Sequence, residues 1–140
     1  MENKDIITLA RELGAAMQKS DEYIRFSIAR QAADEDETLQ KLITDFNLVR
    51  VEASSESAKA DGERDDELVR QKNAEMRKLY GAVMSNEHMI GYNDAKDEID
   101  GILNRVIAII SQSADGEDPE TTDYYPSSCS GQCSSCGGCG

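Results

Sequence analysis

Apolar residues recur at three- and four-residue steps along most of the chain. Ile6, Leu9, Ala10, Leu13, Ala16 and Met17 make one stripe, which predicts an amphipathic helix from about Asp5 to Lys19. Asn3 is its expected N-cap. Ser20 or Asp21 is expected to cap a short second helix bearing Tyr23, Ile24, Phe26, Ile28 and Ala29. The apolar positions of that helix are less cleanly periodic, so it should be covered on more than one side.

A third helix is expected to begin at Asp34, with Glu37 completing a capping-box pattern and an acidic first turn suiting the positive helix end. Leu39, Leu42, Phe46, Val49 and Ala53 then form a heptad-like seam. Beyond Ala53 the seam weakens into Ser54, Ser55, Ser57, Ala58 and Ala60, and Gly62 marks a turn. A fourth helix follows from about Arg64, with Val69, Met76, Leu79, Tyr80 and Val83 inward. So short a connection implies an antiparallel hairpin. Its tip, about 54–66, carries too little apolar surface for a compact core and should project into solvent or rest on another subunit. Ser85 is expected to cap a fifth helix running to about Ser113, with a break or bend at Gly91 or Gly101. The fold class is therefore all-α.

Composition divides the chain. Both prolines, Pro119 and Pro126, and all four cysteines lie near the C-terminus, while every Lys and Arg lies at or before Arg105. The front part, to Ser113, has 15 basic and 23 acidic residues. The remainder carries Asp115, Glu117, Asp118, Glu120 and Asp123 with no base. Residues 1–113 thus read as a helical oligomerisation or adaptor domain. Residues 114–140 read as a flexible acidic linker and a Cys-rich tail, disordered until something binds. Exposed seam and the aliphatic end of the fifth helix favour self-association or a homologous partner.

A formal charge of -13 argues against unaided binding to nucleic acid or to an anionic membrane, which both depend on Lys and Arg. The longest apolar run, Val106 to Ile110, is far below the roughly 20 residues a bilayer needs. The start Met1-Glu2-Asn3-Lys4-Asp5 has no signal-peptide character, so a reducing cytoplasm is the expected compartment.

In that setting the ending CSGQCSSCGGCG calls for a ligand. Cys129, Cys133, Cys136 and Cys139 follow C-x3-C-x2-C-x2-C, a flexible chelate on a Ser/Gly backbone. Four thiolates satisfy a [4Fe–4S] cluster, a [2Fe–2S] cluster or a tetrahedral zinc. The close spacing favours iron–sulfur, most of all [4Fe–4S], over zinc knuckles, which are separated by a longer loop. Adventitious disulfides or an unliganded tail are the bland alternatives. No base in the tail offsets the charge of such a cluster, so a partner surface is expected to cover it or exchange a ligand. Cys129, at the longer spacing, is the expected point of exchange.

Nothing in the helical part assembles a catalytic set, and an enzyme is not expected. The lone His88 reads as a helix-start residue, and one histidine cannot furnish two Glu-x-x-His motifs. The run Asp34, Glu35, Asp36, Glu37 and the group Asp61, Glu63, Asp65, Asp66, Glu67 read as helix starts and solvated surface rather than divalent-ion sites. Tyr124 and Tyr125 are a weak docking candidate.

The helix layout, the long central hairpin, the acidic Pro/Tyr linker and the terminal CSGQCSSCGGCG resemble the YlbF/YmcA family of bacterial regulators, the tail matching its YlbF members. The resemblance implies a five-helix fold, α-helical homo-oligomers or hetero-oligomers with YmcA-like and YaaT-like proteins, and a complex that carries iron–sulfur clusters. It further implies links to competence, sporulation and biofilm formation, and to RNA processing through RNase Y. By resemblance, Cys129, Cys133, Cys136 and Cys139 are the cluster ligands. A flavin is implied only at the level of that complex, and no glycine-rich dinucleotide motif supports it here. The competing reading is a zinc- or iron-handling protein whose tail stores or delivers metal while its helices only dimerise.

Overall fold

The structure is a computed structural model that describes residues 4–126. Its described elements are five helices: α1 (Ile6–Gln18), α2 (Asp21–Glu35), α3 (Glu37–Ser57), α4 (Asp66–Ser85) and α5 (Glu87–Ala114). No strand occurs among the described residues. The chain divides into two units between Ile99 and Asp100, inside α5.

In the first unit, α3 and α4 form the antiparallel hairpin that the seam predicts. Leu39 is fully buried in one cluster with Ala33 and Val83, and Leu42, Ile43, Met89 and Tyr92 pack against it. One step outward, Phe46 meets Tyr80 with ring centroids 6.1 Å apart. Next, Lys72 Nζ lies 2.7 Å from Glu52 Oε2. Numbers rise along α3 as they fall along α4, as an antiparallel register requires. Val49 and Ala53 are buried too, so much of the seam is used inside the chain rather than left for a second copy.

The hairpin tip is fastened by polar contacts. Glu56 is buried, accepts a hydrogen bond from the Asp65 backbone N–H at 2.8 Å, and pairs with Lys59 Nζ at 2.6 Å. Those bonds hold its carboxyl below the usual range. Gly62 turns the chain at φ +92°, a conformation that costs a side-chain-bearing residue about 1–2 kcal/mol.

Caps differ from expectation at four places. Asp5 caps α1 by accepting from Thr8 N–H at 2.9 Å, whereas Asn3 lies outside the described residues. The third helix begins at Glu37, not Asp34: α2 runs on through Asp34 to Glu35, and Asp36 alone forms the corner. Helix α4 starts at Asp66 with Asp65 as its cap, accepting from Leu68 N–H at 3.0 Å. Ser85 closes α4, its hydroxyl bonding back to the Gly81 carbonyl at 2.8 Å, and Asn86 takes the capping role for α5. Ser20 caps α2 as expected, accepting from Tyr23 N–H. Helix α5 passes Gly91 and Gly101 without a break.

Helix α1 buries nothing: Ile6 is 82% exposed, Leu9 50% and Leu13 42%.

In the second unit, α5 ends in a Schellman motif. Gly116, at φ +98°, donates to the Ser113 carbonyl and Glu117 donates to that of Gln112. Asp118 organises the next turn by accepting from the Glu120 N–H. The linker is then pinned to the helix. Arg105 grips Asp123 with two nitrogens at 2.7 and 3.0 Å, and Gln112 Nε2 donates to the Asp123 carbonyl at 3.1 Å. Among the described residues, 115–126 thus make these contacts with the end of α5.

Candidate functional site

The four candidate ligands Cys129, Cys133, Cys136 and Cys139 lie outside the described residues. The structure describes the chain that leads to them. The Arg105 guanidinium beside Asp123 lowers that carboxyl's pKa and raises its own. The anchor sits six residues before Cys129. Between them Tyr124 and Tyr125 are exposed.

The donor set can be tested against the implied group by its chemistry. Four thiols with no histidine or carboxylate among them fit iron–sulfur and tetrahedral zinc alike. Among the described residues, no group of three His, Cys, Asp or Glu side chains is gathered as a metal site.

His88 has a partner that its sequence position does not suggest. Its Nδ1 lies 2.9 Å from Asp36 Oδ2, which also accepts from Asn86 Nδ2 at 3.0 Å. Asp36 Oδ1 accepts from Leu39 N–H at 3.0 Å. Asn86 Oδ1 meanwhile accepts from the His88 and Met89 N–H groups. Two helix caps are thus tied together across about fifty positions of sequence, bracing the α2–α3 corner to the α4–α5 corner. The Leu39 amide first, then His88 and Asn86, drive the Asp36 pKa down to about 2. A carboxylate held so firmly ionised, with both oxygens engaged, is a brace and a poor proton acceptor. Sequence reading treated Asp36 as one of four acidic residues in a helix start. The usable signal was two cap-forming residues, Asp36 and Asn86, each just before a helix.

The acidic group near the tip is likewise used in structure. Arg64 bridges Asp61 at 2.9 Å and Asp66 at 2.7 Å. Hydrogen bonding to Asp66 raises the Arg64 pKa.

No described helix is long and apolar enough to cross a membrane. Comparison with known proteins supplies the rest. The chain is similar to a UPF0342 protein of Caldicellulosiruptor bescii, 24% identical over 115 residues, which spans 82% of this chain and 92% of that one. No solved structure matches at comparable significance. Residues 6–114 match the family described as control of competence regulator ComK, YlbF/YmcA, and the chain belongs to that family of regulators.

Proposed function

We propose that this protein is a non-enzymatic adaptor subunit of a cytoplasmic complex like that of YlbF, YmcA and YaaT. In this reading its tail carries an iron–sulfur cluster of the [4Fe–4S] type, and the complex modulates RNA processing by RNase Y and developmental regulation. The observation that carries the proposal is a pairing. A family-matched helical region, residues 6–114, is joined to four closely spaced thiols.

The residues divide the work. Cys133, Cys136 and Cys139 hold the group, and Cys129 is the ligand open to exchange with a partner. Arg105, Gln112 and Asp123 set where the tail departs from α5. Bound there, the cluster would supply an oxygen- or redox-sensitive state to a chain otherwise built for contact. The tail has no cationic residue to balance such a group, so the partner is assigned the task of covering it.

Anaerobic co-purification from the native host, with metal analysis and identification of bound proteins, tests this. Iron with labile sulfide and YmcA- and YaaT-like partners is the expected result. Stoichiometric zinc without iron would favour the metal-handling alternative.

A further inference from the structure

The middle of the α3–α4 hairpin is a cationic stretch of an acidic chain. Between Glu37 and Glu56 on α3, and between Glu67 and Ser85 on α4, the bases are Lys41, Arg50, Arg70, Lys72, Arg77 and Lys78. The acids are Asp45, Glu52 and Glu75. Half of these bases are used inside the chain: Lys41 pairs with Asp45, Arg70 with Glu67, and Lys72 with Glu52 and Glu75. Arg50, Arg77 and Lys78 are exposed and pair with no carboxylate among the described residues.

The signs are sorted by side. Arg50 stands four residues after Phe46 and Arg77 three before Tyr80. Each arginine therefore lies on its helix beside one ring of the pair whose centroids are 6.1 Å apart. Tyr80 is 55% exposed there, and Met84, one turn further along α4, is 38% exposed. Glu52 and Glu75 are each two residues from one of these arginines, about 200° round the helix. With Asp45 and Lys72 they line a separate cavity. What remains is a face with an open aromatic platform, a guanidinium on either helix, and no carboxylate from this stretch of either helix.

We propose that this face docks a short acidic segment of a different protein, in which carboxylates flank an apolar side chain. Guanidinium groups bind carboxylates through paired, charge-assisted hydrogen bonds, and the Tyr80–Met84 surface takes the apolar residue. Nucleic acid is the competing anion. Three unpaired cations are few beside the roughly 6–10 phosphate contacts of a firm nucleic-acid complex, and a chain of charge -13 repels a long polyanion. A segment with a few carboxylates meets less of that repulsion and gains apolar contact as well. This role lies in the helical region and holds whichever metal the tail takes.

The test uses the full chain with reductant and chelator present, so that tail thiols and metal play no part. The probe is a short fluorescent peptide of glutamates around a central phenylalanine–leucine pair, and anisotropy at physiological ionic strength reads its Kd. The double variant Arg50→Gln, Arg77→Gln removes both guanidinium groups. Both side chains are exposed, so circular dichroism should show its helices intact. The double variant Arg11→Gln, Lys19→Gln removes the same charge from exposed positions at α1 and controls for the long-range field. The first variant should bind the peptide at least about tenfold more weakly than the wild type, the scale of lost charge-assisted bonds. The second should stay within about twofold. Serine in place of the phenylalanine–leucine pair should weaken binding to the wild type by about tenfold or more.

No saturable binding of the peptide, or equal weakening by the two double variants, would overturn the proposal. Undiminished affinity for the serine peptide would overturn it too, leaving a contact of charge alone. Tighter binding of a single-stranded RNA of matching length, lost when Arg50 and Arg77 are replaced, would put nucleic acid in place of the protein segment.

Discussion

Helices α1 and α3 carry apolar stripes of similar regularity, yet the structure treats them oppositely. In α3 the stripe disappears under α4: Leu39, Val49 and Ala53 are buried and Phe46 meets Tyr80. In α1 the stripe of Ile6, Leu9 and Leu13 stays in the open. Periodicity reports that a face wants cover, but it does not say where the cover comes from. For α3, the turn at Gly62 returns the chain directly onto the stripe. For α1, the next helix begins after Ser20 and leaves the stripe uncovered.

The contrast predicts where stability resides. Leu39→Ala should have the largest effect, because a fully buried leucine leaves a cavity costing about 2–5 kcal/mol. Urea unfolding of the full chain checks it, and an effect below the scale of a surface substitution would break the comparison. The matching substitution Leu9→Ala belongs at the other extreme and is expected to shift the midpoint of dilute protein hardly at all.

Asp36 comes next. Its folded pKa is depressed from 3.8 to about 2, so its contribution is present above the unfolded value and is lost as pH falls through about 2. Asp36→Asn keeps a capping oxygen but removes this titration. The variant should be less stable than the wild type at pH 5, and the gap should close toward pH 2. Paired thermal melts across that range read it directly. A gap that does not change with pH would remove the ionised brace from the account.

Gly62→Ala should cost less than Leu39→Ala, about 1–2 kcal/mol, because alanine at φ +92° is strained even though nothing lies within 4 Å of the added carbon. Unfolding measured beside Leu39→Ala gives the ranking. No loss at all would mean that the tip relaxes independently of the hairpin.

These residues also mark how far the sequence could be read. The hairpin was legible because its stripe, its glycine and its second stripe are consecutive. The α2–α3 corner was misplaced by two residues. Asp34 and Asp36 are both good caps, and what selects Asp36 is the approach of Asn86 and His88 from some fifty residues away. Ser85 and Asn86 posed the same ambiguity, resolved when the serine hydroxyl turned back to the Gly81 carbonyl. The contacts of the linker with α5 are hidden in a polar composition. They rest on Arg105 and Asp123, eighteen positions apart, and on one glycine at φ +98°. The candidate ligands rest on a spacing of thiols alone, and the choice between iron and zinc is not encoded in a donor set that suits both.

That choice decides the central claim, and Mössbauer spectroscopy of the anaerobically purified complex tests it most directly. The wild type should give the spectrum of an iron–sulfur cluster, and Cys133→Ser should lose iron while keeping its helical content. Iron content and spectra that are the same in the two proteins would contradict the assignment of this tail as the cluster site.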